Sequence, residues 1–256
     1  TDWLSFYKKH AGEDPIYASV DIRNAGYKIA PVDTNLFPGG FNNLCPNFRR
    51  EASRLLASYM AAYFPASQTV GILAEEHTRN STYFENLHAL ESIVINAGFK
   101  AFILSFSPEL KEDQTSFVTS ENHTIIINKA YVSASLIKSA SSTPDIIIVN
   151  NDFSGGLPPL IQKITQPLLP TPLIGWHARK KSDHFTHYSN LVEDFSKTIG
   201  IDPWLLNAEF KVHKNVDFSS KKSMNDLATD VDLVLGKIKK KHDQFHIPAQ
   251  PYVFVK

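Results

Sequence analysis

The chain has 256 residues, 43% of them hydrophobic, with 26 basic and 26 acidic side chains, which suits one large domain or two small ones with a sizeable core. A net charge of zero excludes a general electrostatic grip on nucleic acid or on an anionic membrane, and no apolar run approaches the roughly 20 residues that span a bilayer. A single cysteine, Cys45, excludes an internal disulfide and any multi-cysteine metal site.

The opening "TDWLSFYKKHAGEDP" lacks the basic, apolar and small-residue order of a signal peptide, so a cytoplasmic location is expected. Within it, Asp2 to His10 reads as a short helix, with Trp3, Leu4, Phe6 and Tyr7 available for one face. "IYASVDIR" and "YKIAPVD" read as two strands around an Asn-Ala-Gly turn. The stretch "TNLFPGGFNNLC" then abandons regular structure. Pro46 occupies a first-helical position, and Phe48, Leu55, Leu56, Tyr59, Met60 and Tyr63 recur behind it at helical spacing.

"TVGILAE" is a compact apolar strand followed by the polar loop "EHTRNS", a helix closed by Gly98, and the strand "KAFILSF". That order is a parallel β–α–β unit. Between residues 107 and 142, "HTIIIN" and "AYVSASLIK" predict an antiparallel, β-rich insertion. "PDIIIVNNDF" is the strongest strand, so rich in β-branched residues that burial on both faces is expected. "SGGLPPLIQKI" reads as a loop and short helix. The proline-rich "QPLLPTPLIGWHARKKS" leads into a helix over 183–198, with Phe185, Tyr188, Leu191, Val192, Phe195 and Ile199 as its apolar stripe. A last amphipathic helix, "MNDLATDVDLVLGKIKKKHDQF", turns Leu227, Val231, Val234 and Ile238 inward and its "KIKKK" run to solvent. "PYVFVK" reads as a strand ending on Lys256. The fold class expected is α/β: a mostly parallel central sheet with flanking helices and a β-rich insertion.

Four polar clusters stand out. They are "VDTNLFPGGFNN" with Asp33, Asn35, Asn42 and Asn43; "AEEHTRNS" with Glu75, Glu76, His77, Arg79 and Asn80; "VNNDFSGG" with Asn150, Asn151 and Asp152; and "GWHARKKSDH" with Trp176, His177, Arg179 and Lys180. In open α/β sheets, ligands bind at the carboxyl ends of strands, where such residues fall. The plain alternatives are turn chemistry for "NNDFSGG", a helix cap at Asn80 or Ser81 with Glu85 in the first turn, and a basic surface loop for "WHARKK". The mixed charge around Arg79 suits an amino-acid zwitterion, with Arg on the carboxylate and acids on the ammonium. Cys45 is expected as a buried thiol, a stabilised thiolate at a helix start being the alternative. P-loop, Rossmann, HExxH and GxSxG motifs are absent.

At these clusters the sequence resembles the GshA-type glutamate–cysteine ligases of proteobacteria, which join glutamate to cysteine with ATP in the first step of glutathione synthesis. The resemblance rests on "DIRNAGYKIAPVDTNLFPGGFNNL", "EEHTRNSTYFENL", "NNDFSGGLP", "IGWHARKKSDHF" and "GIDPWLL". It covers essentially the whole chain, although family members are considerably longer. It implies a pre-ATP-grasp-like domain over 1–206 and, over 207–256, a connecting helix and the first strand of an ATP-grasp module. Lys256 would then contact nucleotide phosphates. ATP and Mg²⁺ would be held mainly by residues beyond this sequence, because these residues offer no phosphate cradle and no clustered carboxylates for Mg²⁺.

The family reaction implies phosphorylation of the glutamate γ-carboxylate, then attack by the cysteine amine. The implied partners are L-glutamate and L-cysteine. Arg23, Asp33, Asn35, Asn42 and Asn43 would line an amino-acid site with the Gly39–Gly40 backbone, and Arg79, His77 and Asn80 would anchor a carboxylate. Glu76, Asn151 and Asp152 would complete the substrate contacts. Trp176, His177, Arg179 and Lys180 would face the reacting groups, with His177 and Arg179 as the catalytic pair. No residue is expected to hold a metal. Two alternatives stay open: a binding module without turnover, and an ATP-grasp-type ligase with other substrates.

Overall fold

In the computed structural model, which describes residues 2–10, 12, 14–76 and 80–255, helix α1 (Asp2–His10) precedes strands β1 (Ser19–Asn24) and β2 (Ile29–Asn35). The β1–β2 turn closes because Asn24 Oδ1 accepts from Gly26 N at 2.8 Å and Ala25 N donates to Lys28 O at 3.0 Å. Gly26 sits there at φ +83°, a left-handed backbone that glycine adopts freely. Helix α2 (Pro46–Tyr63) starts on its proline. Strand β3 (Thr69–Ala74), helix α3 (Ser81–Asn96) and strand β4 (Lys100–Ser105) form the β–α–β unit. Asn80 is the N-cap of α3, its side chain accepting from Thr82 N.

Strands β5 (Gln114–Val118), β6 (Thr124–Lys129), β7 (Tyr131–Ser133), β8 (Leu136–Lys138), β9 (Ile146–Asn150) and β10 (Leu168–Leu169) follow, then helices α4 (Lys181–Ile199) and α5 (Lys221–Gln244). None of the described helices is long and apolar enough to cross a membrane. The described residues of 1–12, 20–34 and 180–256 make one compact unit, and those of 13–19 and 35–179 make a second.

The second unit is built on a six-stranded sheet of order β10-β9-β3-β4-β6-β5. Every pairing in it is parallel except β5 with β6. Alternation assigns each strand's side chains to two cores. Val70, Ile72, Ile103, Ile146 and Ile148 pack with Met60 of α2 and Leu87, Leu90 and Val94 of α3. Leu73, Leu104, Ile147 and Val149 pack instead with Phe37, Ile137, Phe153 and Ile161. Helices therefore cover one face, and the β7–β8 hairpin with a 3₁₀ turn (Ile161–Lys163) covers the other. Strand β9 is buried along its whole length, which accounts for its run of β-branched residues. Each such side chain contributes about 1.5–3 kcal/mol of burial.

Three local expectations are corrected. "HTIIIN" forms β6, which pairs parallel with β4 and belongs to the central sheet, so only β7 and β8 stand apart as an antiparallel pair. The reason is burial: Ile125 and Ile127 join the core under α3, and Asn128 Nδ2 donates to Ile103 O at 3.0 Å. Cys45 is exposed, because it is the extended N-cap residue where the chain turns into α2. Residues 251–255 form no strand. A strand exists only where a neighbour takes its backbone groups.

In the first unit, Trp204 is the hub. It stacks on Tyr27 and on Phe245, and Lys28 Nζ sits 3.9 Å from its ring centroid. Lys241 Nζ meets Asp202 at 2.6 Å and Lys237 Nζ lies 4.0 Å from Glu209, so two members of the "KIKKK" run are paired, while Lys237, Lys239 and Lys240 are exposed.

Two outcomes follow. A Cβ at Gly71 would lie 2.8 Å from both Ile147 Cδ1 and Leu104 Cδ1, so Gly71→Ala should cost about 1–3 kcal/mol in urea denaturation, as overpacked cores do. Desolvation lowers Lys28 from its ordinary value of 10.5 to about 8, against the raising effect of Glu209 and Asp202. The unfolded chain then binds more protons between those values, so stability rises with pH across about pH 8 to 10.5. The urea midpoint should climb more steeply over that window in the parent than in Lys28→Met.

Candidate functional site

From β3 the chain proceeds to β4 on one side, and β9 returns to pair with β3 on the other. The strand order thus reverses between β3 and β9, and a crevice opens at their carboxyl ends. The register Ala74↔Asn150 brings Glu75 and Asn151, the next residues of each strand, to the same level. A cavity of about 340 Å³ opens here. Its walls come from the two strand ends, the start of α3 and residues 35–42.

Tyr83 ties the floor together. Its hydroxyl accepts from Glu75 N at 2.8 Å and donates to Asn150 O at 3.2 Å. Burial pushes its ionisation well above the ordinary range for tyrosine, so it acts as a neutral donor and acceptor. Asn150 Nδ2 donates to Pro38 O, while Asn150 Oδ1 is buried without a hydrogen-bond partner among the described residues. Such an acceptor calls for a donor.

The "TNLFPGGFNN" stretch is clamped from several directions. Asn35 Oδ1 accepts from Phe37 N at 3.2 Å, and Tyr17 donates its hydroxyl proton to Gly39 O at 3.0 Å. Asn86 Oδ1 accepts from Phe41 N at 2.9 Å. Arg49 donates from Nη2 to Asn42 O at 2.8 Å and from Nε to Leu44 O at 3.0 Å. Gly40, at φ +73°, supplies the left-handed residue before the 3₁₀ turn Phe41–Asn43. These bonds set a backbone wall, with side-chain amides inside it.

The lining therefore offers two carboxylates, Glu75 and Asp152; the amides of Asn35, Asn42, Asn80, Asn86 and Asn150; and the N-terminus of α3. Carboxylates suit an ammonium, amides suit either end of a zwitterion, and a helix N-terminus favours an anion.

Of the residues singled out in the sequence, Asn35, Asn42, Glu75, Asn80, Asn150 and Asp152 line this cavity. Asn43, Glu76 and Asn151 belong to the same unit but not to the lining. Asn151 Oδ1 instead accepts from Phe153 N at 2.9 Å, and Asp152 Oδ1 from Ser154 N at 3.0 Å, so the turn chemistry of "NNDF" is present as well. Trp176 N donates to Asp152 O at 2.8 Å. A Cβ on Gly175 would lie 2.8 Å from that same oxygen. The "WHAR" loop thus docks on the Asp152 backbone, with the Arg179 guanidinium 5.1 Å from the Trp176 ring centroid and with His177 exposed. Arg23, Asp33 and Lys180 fall in the other unit, where Asp33 pairs with Lys181 at 3.1 Å. His77, Arg79 and Lys256 lie outside the described residues.

Sequence reasoning overlooked Tyr83, Asn86 and Arg49. The first two sit three apart on the helical face that the pocket uses, and a polar pair on an otherwise buried face was the available signal. Asn86 is only 5% exposed, so Asn86→Ala leaves Phe41 N–H unpaired. It should lower stability by about 1–3 kcal/mol and speed hydrogen exchange at Phe41, measured by urea denaturation and amide exchange.

The family model described as GshA: Glutamate-cysteine ligase matches residues 2–256. Among solved structures, a protein provisionally described as a gamma-glutamylcysteine synthetase, from Methylobacillus flagellatus KT, is 39% identical with a TM-score of 0.89. The match covers 97% of this chain and 58% of the neighbour's. No curated protein sequence matches.

Proposed function

This chain belongs to the glutamate–cysteine ligase family, and we propose that its pocket holds L-glutamate for ATP-dependent joining to L-cysteine, in a cytoplasmic enzyme of glutathione synthesis. The observation that carries the reading is the lining itself: two carboxylates, five amides and a helix N-terminus at the point where strand order reverses. The substrate ammonium would lie between Glu75 and Asp152, with Asn150 Oδ1 accepting one of its protons. A carboxylate would lie toward the start of α3, where Arg79 and His77 follow Glu76 in the sequence and would supply positive charge. Trp176, His177 and Arg179, anchored on the Asp152 backbone, would face the reacting carboxylate.

The described lining does not fit a polyphosphate. Its two acids would repel one, and it contains no Lys or Arg among the described residues. The ATP phosphates therefore find no cationic partner among the described residues of this pocket. What the pocket's own residues contribute is position: they hold one amino acid with a fixed end toward the loop at 175–179, and positioning is a large part of amide-forming catalysis.

Calorimetric titration tests this. The 256-residue chain should bind L-glutamate, and Asp152→Asn should weaken binding by roughly 10- to 100-fold, the worth of one charge-assisted hydrogen bond. At about 100 times its Kd, the ligand should add about 2.7 kcal/mol of stability. Absence of L-glutamate binding, or equal affinity in Asp152→Asn, overturns the assignment. Release of ADP on adding ATP, Mg²⁺ and both amino acids distinguishes turnover from binding alone.

A further inference from the structure

Away from the pocket mouth, α3 carries a second constellation. Glu85 and His88 stand three residues apart and so share a helix face. His123 ends the turn that leads into β6. That turn is fixed by Thr119 N donating to His123 O at 2.9 Å, by His123 N donating to Thr119 Oγ1 at 3.0 Å, and by Asn122 at φ +63°. Ser120 N, which donates to Ser81 O at 3.2 Å, ties it to the start of α3.

The three side chains converge. The Glu85 carboxylate is 1% exposed, and its oxygens lie 3.1 and 3.2 Å from His123 Nδ1. The His88 and His123 rings stack at 4.2 Å between centroids. One potential ligand atom from each residue falls within 4.8 Å of the others. His88 Nδ1 is buried and makes no hydrogen bond among the described residues. Stacking two imidazoles beside a buried carboxylate and leaving a ring nitrogen orphaned is costly unless something joins them.

A tetrahedral ion with bonds of about 2.0–2.1 Å has its ligand atoms roughly 3.3 Å apart. The Glu85–His123 edge already has that length, and ligation requires the His88 ring, which lies within 19° of parallel to His123, to turn out of that stack until its nitrogen reaches the same ion. One carboxylate and two imidazoles suit zinc-class ions better than Mg²⁺ or Ca²⁺, which prefer oxygen shells.

We infer that Glu85, His88 and His123 form a three-ligand site for a zinc-class transition-metal ion, with the fourth position open to water, stapling α3 to the turn ahead of β6. Its residues are distinct from the pocket lining, although Asn86, the neighbour of Glu85, clamps the pocket wall through Phe41. An ion here would therefore stiffen the helix that forms one side of the pocket.

Metal-stripped 256-residue chain titrated with Co²⁺ tests it through visible d–d absorption. One saturable equivalent is expected, displaced by Zn²⁺ and not by Mg²⁺, with a rise in Tm on loading. Glu85→Gln keeps side-chain shape, and far-UV circular dichroism checks the fold of this variant and of His88→Gln. Each, like His123→Ala, should weaken Co²⁺ by at least roughly tenfold, whereas His187→Ala, at an exposed position on α4, should not. Non-saturable binding, displacement by Mg²⁺, or affinity unchanged in all three site variants overturns the proposal.

Discussion

Parallel pairing of β3 with β9 is the constraint on which the rest of the second unit depends. Both strands are buried on two faces, so neither can slip by one residue without exchanging its two sets of side chains between cores. That locked register holds Ala74 against Asn150 and makes the backbone beyond each strand diverge at one level. The Tyr83 hydroxyl then bridges those two departing chains. Everything polar in the pocket hangs from this junction.

The pocket wall follows from the same economy of hydrogen bonds. Residues 36–43 make no ladder, so their backbone groups must be satisfied by side chains reaching in from α2, α3 and β9. Arg49, Asn86 and Asn150 do this. Each of them buries a polar group only because it finds a backbone partner there. Among the described residues of this unit, Asn150 Oδ1 in the pocket and His88 Nδ1 on the same helix's other side are the buried side-chain atoms without a hydrogen-bond partner, and a ligand at each would complete the network. Helix α3 connects them, presenting Asn80, Tyr83 and Asn86 to one site and Glu85 and His88 to the other.

Much of the fold was legible because burial writes periodicity into a chain. Strand β9 announced itself through four consecutive β-branched residues, and α2 through Pro46 and its helical stripe. "HTIIIN" was legible as a strand but not as a member of the central sheet, since nothing local distinguishes a parallel partner from a hairpin partner. The pocket was half legible. Asn35, Asn42, Asn80 and Asp152 stood in conspicuous polar runs after strands, whereas Tyr83 and Asn86 sat inside a helix pattern where an aromatic or an amide attracts no notice. Asp33 and Arg23 stood in an equally conspicuous run and belong to the other unit.

By itself, the sequence determined the elements, their approximate limits, the α/β class and the family, because propensity, patterning and motif are local properties of a chain. Only the tertiary structure decided which polar residues share a cavity, and that β3 and β9 are neighbours with β4 on the far side. It alone brought His123, separated from Glu85 by the rest of α3, by β4 and β5 and by a turn, to within 3.1 Å of that carboxylate. The physical reason is that strand order and long-range contact are set by which faces bury against which, and that information resides in no single window of residues.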